Sequence, residues 1–157
     1  MITESDSFYE NLEIMNTNSL LININNEDHK VSGAVKKEIP KIELLVDAVF
    51  KKMFADPTNL TLLFEYANLS ILVGDLEAAI GVFEQMLIYD NELPRIRLEL
   101  GVLYFRLGAF ALANTYLKSV KEFNPPPEVL NRVNQFLDAI EEAQEPIKFQ
   151  QTISIGF

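Results

Sequence analysis

The feature that most constrains this chain is a recurrence at 34 residues. Gly74-Asp75-Leu76 and Gly108-Ala109-Phe110 stand 34 residues apart. Ala79 and Ala113, then Phe83 and Leu117, follow at the same offset, and upstream Tyr66-Ala67 matches Leu100-Gly101. Self-similarity at a fixed period of this length is the mark of a repeat array. Each unit reads as an apolar helix, a tight turn at Gly, and a second helix that folds back. The units run from Leu62 to Asn91 and from Ile96 to Pro125. Gly74 and Gly108 can take the left-handed conformation that ends the first helix. The small side chains of Ala79 and Ala113 let the paired helices approach, and Phe83 and Leu117 fill the space beside them. Neither hairpin can bury its apolar face alone, so neighbours must stack.

This pattern resembles the tetratricopeptide repeat. The matching residues are Tyr66-Ala67, Gly74, Ala79 and Phe83 in one unit. In the next they are Leu100-Gly101, Tyr104, Gly108, Ala113, Leu117 and Pro125. The departures are Ser70 in the slot of Tyr104, Asn91 in the slot of Pro125, and Arg97 where a bulky apolar residue is usual. The repeat extends outward. Pro57 lies 34 residues before Asn91, and Ile42 to Phe50 has helical apolar spacing, like the second helix of an incomplete preceding unit. Downstream, Pro125-Pro126-Pro127 stops one helix, and Pro favours the start of the next. Val129, Val133, Phe136, Leu137 and Ile140 then form one face of a capping helix. Glu128, Asn131, Arg132, Asp138 and Glu141 form the other. The expectation is an all-α protein of tetratricopeptide-like stacked helical hairpins, about six helices, over residues 39–145.

Residues 1–38 read as an irregular, disordered arm that docks on the helices. They carry six Asn and seven acids against three Lys, and Gly33 with the polar Asn25-to-Lys30 run interrupts helical patterning. Residues 146–157 read as a tail. Phe149 to Phe157 alternates apolar and polar residues, which is either a loose end or the first strand of a β-domain.

Charge and composition exclude several functions. With 13 basic against 23 acidic residues the net charge is −10, so no nucleic-acid partner is expected. No run approaches the roughly 18 apolar residues of a membrane-spanning helix, so this chain is not expected to insert directly. The chain has no Cys and a single His, His29. Thiolate chemistry is absent and no His- or Cys-based metal cluster can form. Gly74-Asp75 and Gly108-Ala109 lack the Gly-Lys-Ser/Thr of a phosphate loop. The carboxylates Asp138, Glu141 and Glu142 read as a solvated face. No catalytic residue, metal site or cofactor is expected, and the chain does not read as an enzyme.

The repeat resemblance implies a binding surface. In such arrays the first helices line the concave side. The residues placed there are Thr61, Phe64, Asn68, Ile71 and Leu72 in one unit, and Arg95, Leu98, Val102, Phe105 and Arg106 in the next. Burying Phe64, Leu98, Val102 and Phe105 would contribute about 1.5–3 kcal/mol each before association costs. Such a groove suits an amphipathic helix or an apolar extended segment. A chaperone-tail carboxylate clamp is not expected: Phe64 and Glu99 stand where Lys and Asn would be, and only Asn68 matches. The competing reading fills the groove internally, with residues 8–24 or an adjoining barrel. Arg97 is expected to pair with Glu65 or Glu99 and support the fold.

A more particular resemblance rests on Leu93-Pro94-Arg95-Ile96-Arg97-Leu98-Glu99-Leu100-Gly101-Val102-Leu103-Tyr104-Phe105, with Pro126-Pro127-Glu128-Val129 and Phe136-Leu137 downstream. Residues 57–157 are similar to the helical domain of bacterial outer-membrane proteins of the surface lipoprotein assembly modifier type. In that family a periplasmic tetratricopeptide domain precedes a transmembrane β-barrel, and the whole helps deliver client proteins to the cell surface. The resemblance implies a periplasmic, outer-membrane-associated location, a polypeptide client and a β-barrel partner. It predicts an open reading frame that continues beyond Phe157. The alternative is a self-contained cytoplasmic scaffold or adaptor subunit of a larger complex.

Overall fold

Two glycines set the turns that follow the first helix of each hairpin. Gly74 and Gly108 hold φ at 87° and 72°, the left-handed region that costs a Cβ-bearing residue most. Gly74 N–H donates to the Ile71 carbonyl at 3.1 Å, and Asp75 N–H to Ser70 at 2.9 Å. Thirty-four residues on, Gly108 N–H donates to Phe105 at 3.0 Å and Ala109 N–H to Tyr104 at 2.9 Å. This is one Schellman cap made twice, and it satisfies the carbonyls that a helix end leaves open.

The computed structural model describes residues 33–146, with side chains from Pro40 onward. Among them are six helices and no strand: α1 (Gly33–Ala55), α2 (Leu60–Val73), α3 (Leu76–Tyr89), α4 (Pro94–Arg106), α5 (Phe110–Lys121) and α6 (Pro127–Gln144). This is the all-helical hairpin fold that the repeat predicts. Residues 1–32 and the tail from 147, including the strand-like alternation, lie outside the described residues. The boundary at 38/39 needs correction, because α1 already begins at Gly33 and runs through Pro40. Gly at a helix end costs less than Gly in its interior, and Ala34, Lys36, Lys37 and Glu38 are good helix formers. Pro40 withholds only the N–H that the carbonyl of residue 36 would have accepted.

The helix starts follow from side chains. Asn59 caps α2: its side chain accepts from Leu62 N–H at 3.2 Å and donates to Asp56 at 3.0 Å. Asp75 caps α3 through Ala78 N–H at 3.0 Å. Pro127 opens α6, where its missing N–H leaves nothing unsatisfied.

The chain divides into two compact units, residues 1–96 and 97–157. In the first, α2 packs between α1 and α3. The Phe50 and Tyr66 rings meet at 5.7 Å, and Phe64 and Phe83 at 5.9 Å. Ala67 and Ala79 are wholly buried, as close helix pairing requires. Ser70 is also buried, and its hydroxyl donates to the Tyr66 carbonyl at 2.9 Å. That bond explains how a polar residue stands where the other repeat has Tyr104.

In the second unit α5 packs against α6. Gly101 on α4 lies against the Leu117 side chain of α5. Tyr104 and Tyr116 stack at 5.7 Å, only 7° from parallel. Leu117, Val120, Val133 and Phe136 complete the core. Arg97 sets its guanidinium 5.6 Å from the centroid of the Phe123 ring. The residue that departs from the repeat pattern thus makes a cation–π contact with an aromatic at the end of α5.

Candidate protein-binding surface

The residues expected to line a groove separate into two sets. Phe64, Leu98 and Val102 are core residues, at 5%, 3% and 3% exposure. Phe64 is held by the Phe83 ring of α3. These three leave no surface for a guest chain, which corrects the expectation drawn from the repeat register. The reason lies in α4, where Leu98, Leu100, Gly101, Val102 and Leu103 are all buried. Five buried positions within six residues lie around the helix, so this stretch of α4 is enclosed except at the half-buried Glu99. The run Leu98-to-Leu103 carried that signal in the sequence.

The other set keeps some surface. On α2, Asn68, Ile71 and Leu72 are half-buried, one turn apart, and Thr61 is exposed. Arg95, in the first turn of α4, is half-buried. In the second unit Phe105 is half-buried. Its ring lies 5.7 Å from Phe110 and 5.3 Å edge-on from Phe136. Phe105 is therefore fixed by α5 and α6 and offers a guest only what those rings leave. Arg106 is exposed in the last turn of α4, where a cation complements the helix dipole.

A further concavity was not expected from the repeat register. Between α5 and α6 lies a cleft of about 450 Å³ whose walls include Asn114, Lys118, Leu137, Asp138, Glu141 and Gln144. One lysine stands among carboxylates and amides over an apolar floor. The sequence showed Asp138 and Glu141 as a solvated face, but not that α5 brings Asn114 and Lys118 opposite them. Among the described residues no group of His, Cys, Asp or Glu is placed to hold a metal ion. No helix among them is long and apolar enough to cross a membrane.

Residues 70–131 match the model of the tetratricopeptide repeat family. The match begins in α2 and ends in α6, so it takes in both glycine turns. Among solved structures, the type III secretion chaperone SycD of Yersinia enterocolitica, in complex with a peptide of the translocator YopD, is 17% identical. It covers 74% of this chain and 99% of its own, with a TM-score of 0.61. A second structure of SycD is 19% identical over 72% of this chain and 82% of its own, with a TM-score of 0.62. At that identity the likeness is one of fold. A separate likeness, in sequence, is to N-acetylmuramic acid 6-phosphate etherases. The Christiangramia forsetii protein is 53% identical over 51 residues, or 32% of this chain and 19% of the etherase. That of Clostridium botulinum is 48% identical over 44 residues, or 28% and 15%. The chain thus spans about a fifth or less of these relatives.

Proposed function

We propose that this chain is a protein-binding module that holds a polypeptide partner and performs no catalysis. The observation that carries the reading is the tetratricopeptide hairpin fold, shared over 74% of the chain with a chaperone whose structure contains a bound translocator peptide. Asn68, Ile71 and Leu72 on α2, and Arg106 with the α5–α6 cleft in the second unit, are the surfaces offered to it. They combine apolar contact with a few polar groups, which is how a groove takes an amphipathic or extended segment. The etherase likeness takes in 19% and 15% of those proteins and does not establish catalysis.

The finer reading is a periplasmic module of an outer-membrane assembly or export system, with a β-barrel as its partner in the membrane. Its support is the resemblance over residues 57–157, centred on Leu93-to-Phe105. The alternative remains a self-contained scaffold subunit.

Peptides selected from a random displayed library against the full chain test the binding role. Ile71→Asp and Arg106→Glu should each weaken the selected peptides about tenfold, with the helical signal unchanged. Selected peptides that bind both variants as well as the parent would remove these surfaces from the reading. Detection of the native protein in the periplasmic fraction tests the location, and its recovery only in cytosol refutes it.

A further inference from the structure

One side of α1 carries apolar surface that its own packing does not use. Ile42, Val46, Val49 and Met53 are buried or half-buried on the other side, where α1 packs on α2. Away from that contact Leu44 and Leu45 are 71% and 53% exposed, and Ala48, one turn on, is exposed with them.

The 34-residue offset shows what this side does in the later repeats. Leu45 stands in register with Ala79 and Ala113, both wholly buried. Ala48 corresponds to Val82, which is buried, and to Tyr116, which stacks on Tyr104 of α4. Lys52 corresponds to Met86 and Val120, at 0% and 1% exposure. In a complete hairpin this side of the second helix is therefore covered by the first. On α1 it is open. The residues from 33 that the period would give to a first helix and its turn belong to α1 itself, and Pro40 stands at the position of the turn glycine.

We propose that this side of α1 is a docking surface for an acidic amphipathic helix of a partner protein, seated where a complete hairpin has its first helix. The lengths of α2 and α4, 14 and 13 residues, set the length of helix that fits. Charge sets its chemistry. Lys51 and Lys52 are exposed beside Leu44, Leu45 and Ala48, and Glu43 and Asp47 fall outside that arc of the helix. The patch is basic in a chain of net charge −10. Screening over about 8 Å leaves the nearest charges in control. An apolar stripe flanked by carboxylates matches it, the stripe meeting the leucines and the carboxylates the two lysines. A second copy of α1 would set lysines against lysines. An anionic membrane would face the rest of this acidic chain as well, whereas a single helix is only about 10 Å wide.

The test uses a labelled synthetic peptide of 14 residues, the length of α2. One form carries leucines at helical spacing flanked by glutamates; the other carries lysines in place of the glutamates. Titrated with the full chain, the glutamate form should bind, and the lysine form severalfold more weakly. Leu45→Glu should weaken the glutamate form by at least about tenfold, the loss of one buried leucine. Lys51→Glu together with Lys52→Glu should reverse the preference between the two peptides. Ile71→Asp and Arg106→Glu should change neither, which keeps this outcome apart from that of the surfaces proposed above. A helical signal equal to the parent's checks that each variant is folded. No binding of the glutamate form, equal binding of both forms, or binding indifferent to Leu45→Glu overturns the proposal. So does self-association of the chain, or binding to phosphatidylserine vesicles, that Leu45→Glu removes, since the face then has another occupant.

Discussion

A Cβ built on Gly101 would stand 2.6 Å from Leu117 Cγ and 2.7 Å from its Cδ2. The obstacle is a branched side chain that is itself wholly buried in the second unit. Gly101→Ala therefore overpacks the α4–α5 contact. The gain in helix propensity, about 1 kcal/mol, opposes an overpacking cost of about 1–3 kcal/mol. The expected sum is a net loss of stability, read as a lower denaturant midpoint with an unchanged slope. Restored stability in the Gly101→Ala, Leu117→Ala pair, measured against Leu117→Ala alone, would identify the contact as the cause.

Gly74 offers the opposite case. A Cβ there meets nothing within 4 Å, yet φ is 87°. Space is not the constraint; backbone conformation is. Gly74→Ala should cost about 1–2 kcal/mol, and Gly74→Asn distinctly less, because Asn tolerates the left-handed region. Equal losses for Ala and Asn would show that the turn is held by something other than glycine's conformational freedom.

The cap at Asn59 is a third test. Its side chain accepts from Leu62 N–H and reaches Asp56. Asn59→Ala should cost about 1 kcal/mol and Asn59→Ser well under that, while Asn59→Asp keeps the acceptor for Leu62 N–H but sets a second carboxylate against Asp56 and should lose more than Ser. Thermal melts of the three variants decide it. An Ala variant as stable as the parent would mean that water satisfies the start of α2 equally well.

The turns were legible in the sequence because glycine in a left-handed position has few substitutes, and two copies at one offset confirm each other. The start of α1 was not. Gly33 reads as an interruption, yet the helix begins there and runs on through Pro40. The groove was legible only in part. The repeat register says which helix of a hairpin to look at, and on those helices Asn68 and Ile71 are half-buried and Arg106 is exposed. It does not say how far neighbouring side chains close over that helix. Phe83 covers Phe64, and of the residues from Leu98 to Leu103 only Glu99 keeps partial exposure. Phe136 reaches Phe105 through tertiary packing that no local spacing encodes.

That distinction gives the last prediction, a contrast between Phe64 and Ile71 on one helix. Phe64 is 5% exposed against the Phe83 ring, so Phe64→Ala removes core volume. It should cost about 3–5 kcal/mol, enough to unfold a marginal domain. Any loss of partner binding in that variant would report unfolding rather than a missing contact. Ile71, half-buried and two turns on, loses less when shortened to Ala, and the fold should persist. Its variant is therefore the one that can report on recognition. Denaturant curves and peptide binding measured on both proteins separate the two roles. If Phe64→Ala melts like the parent while Ile71→Ala unfolds, the assignment of core and surface on α2 is reversed.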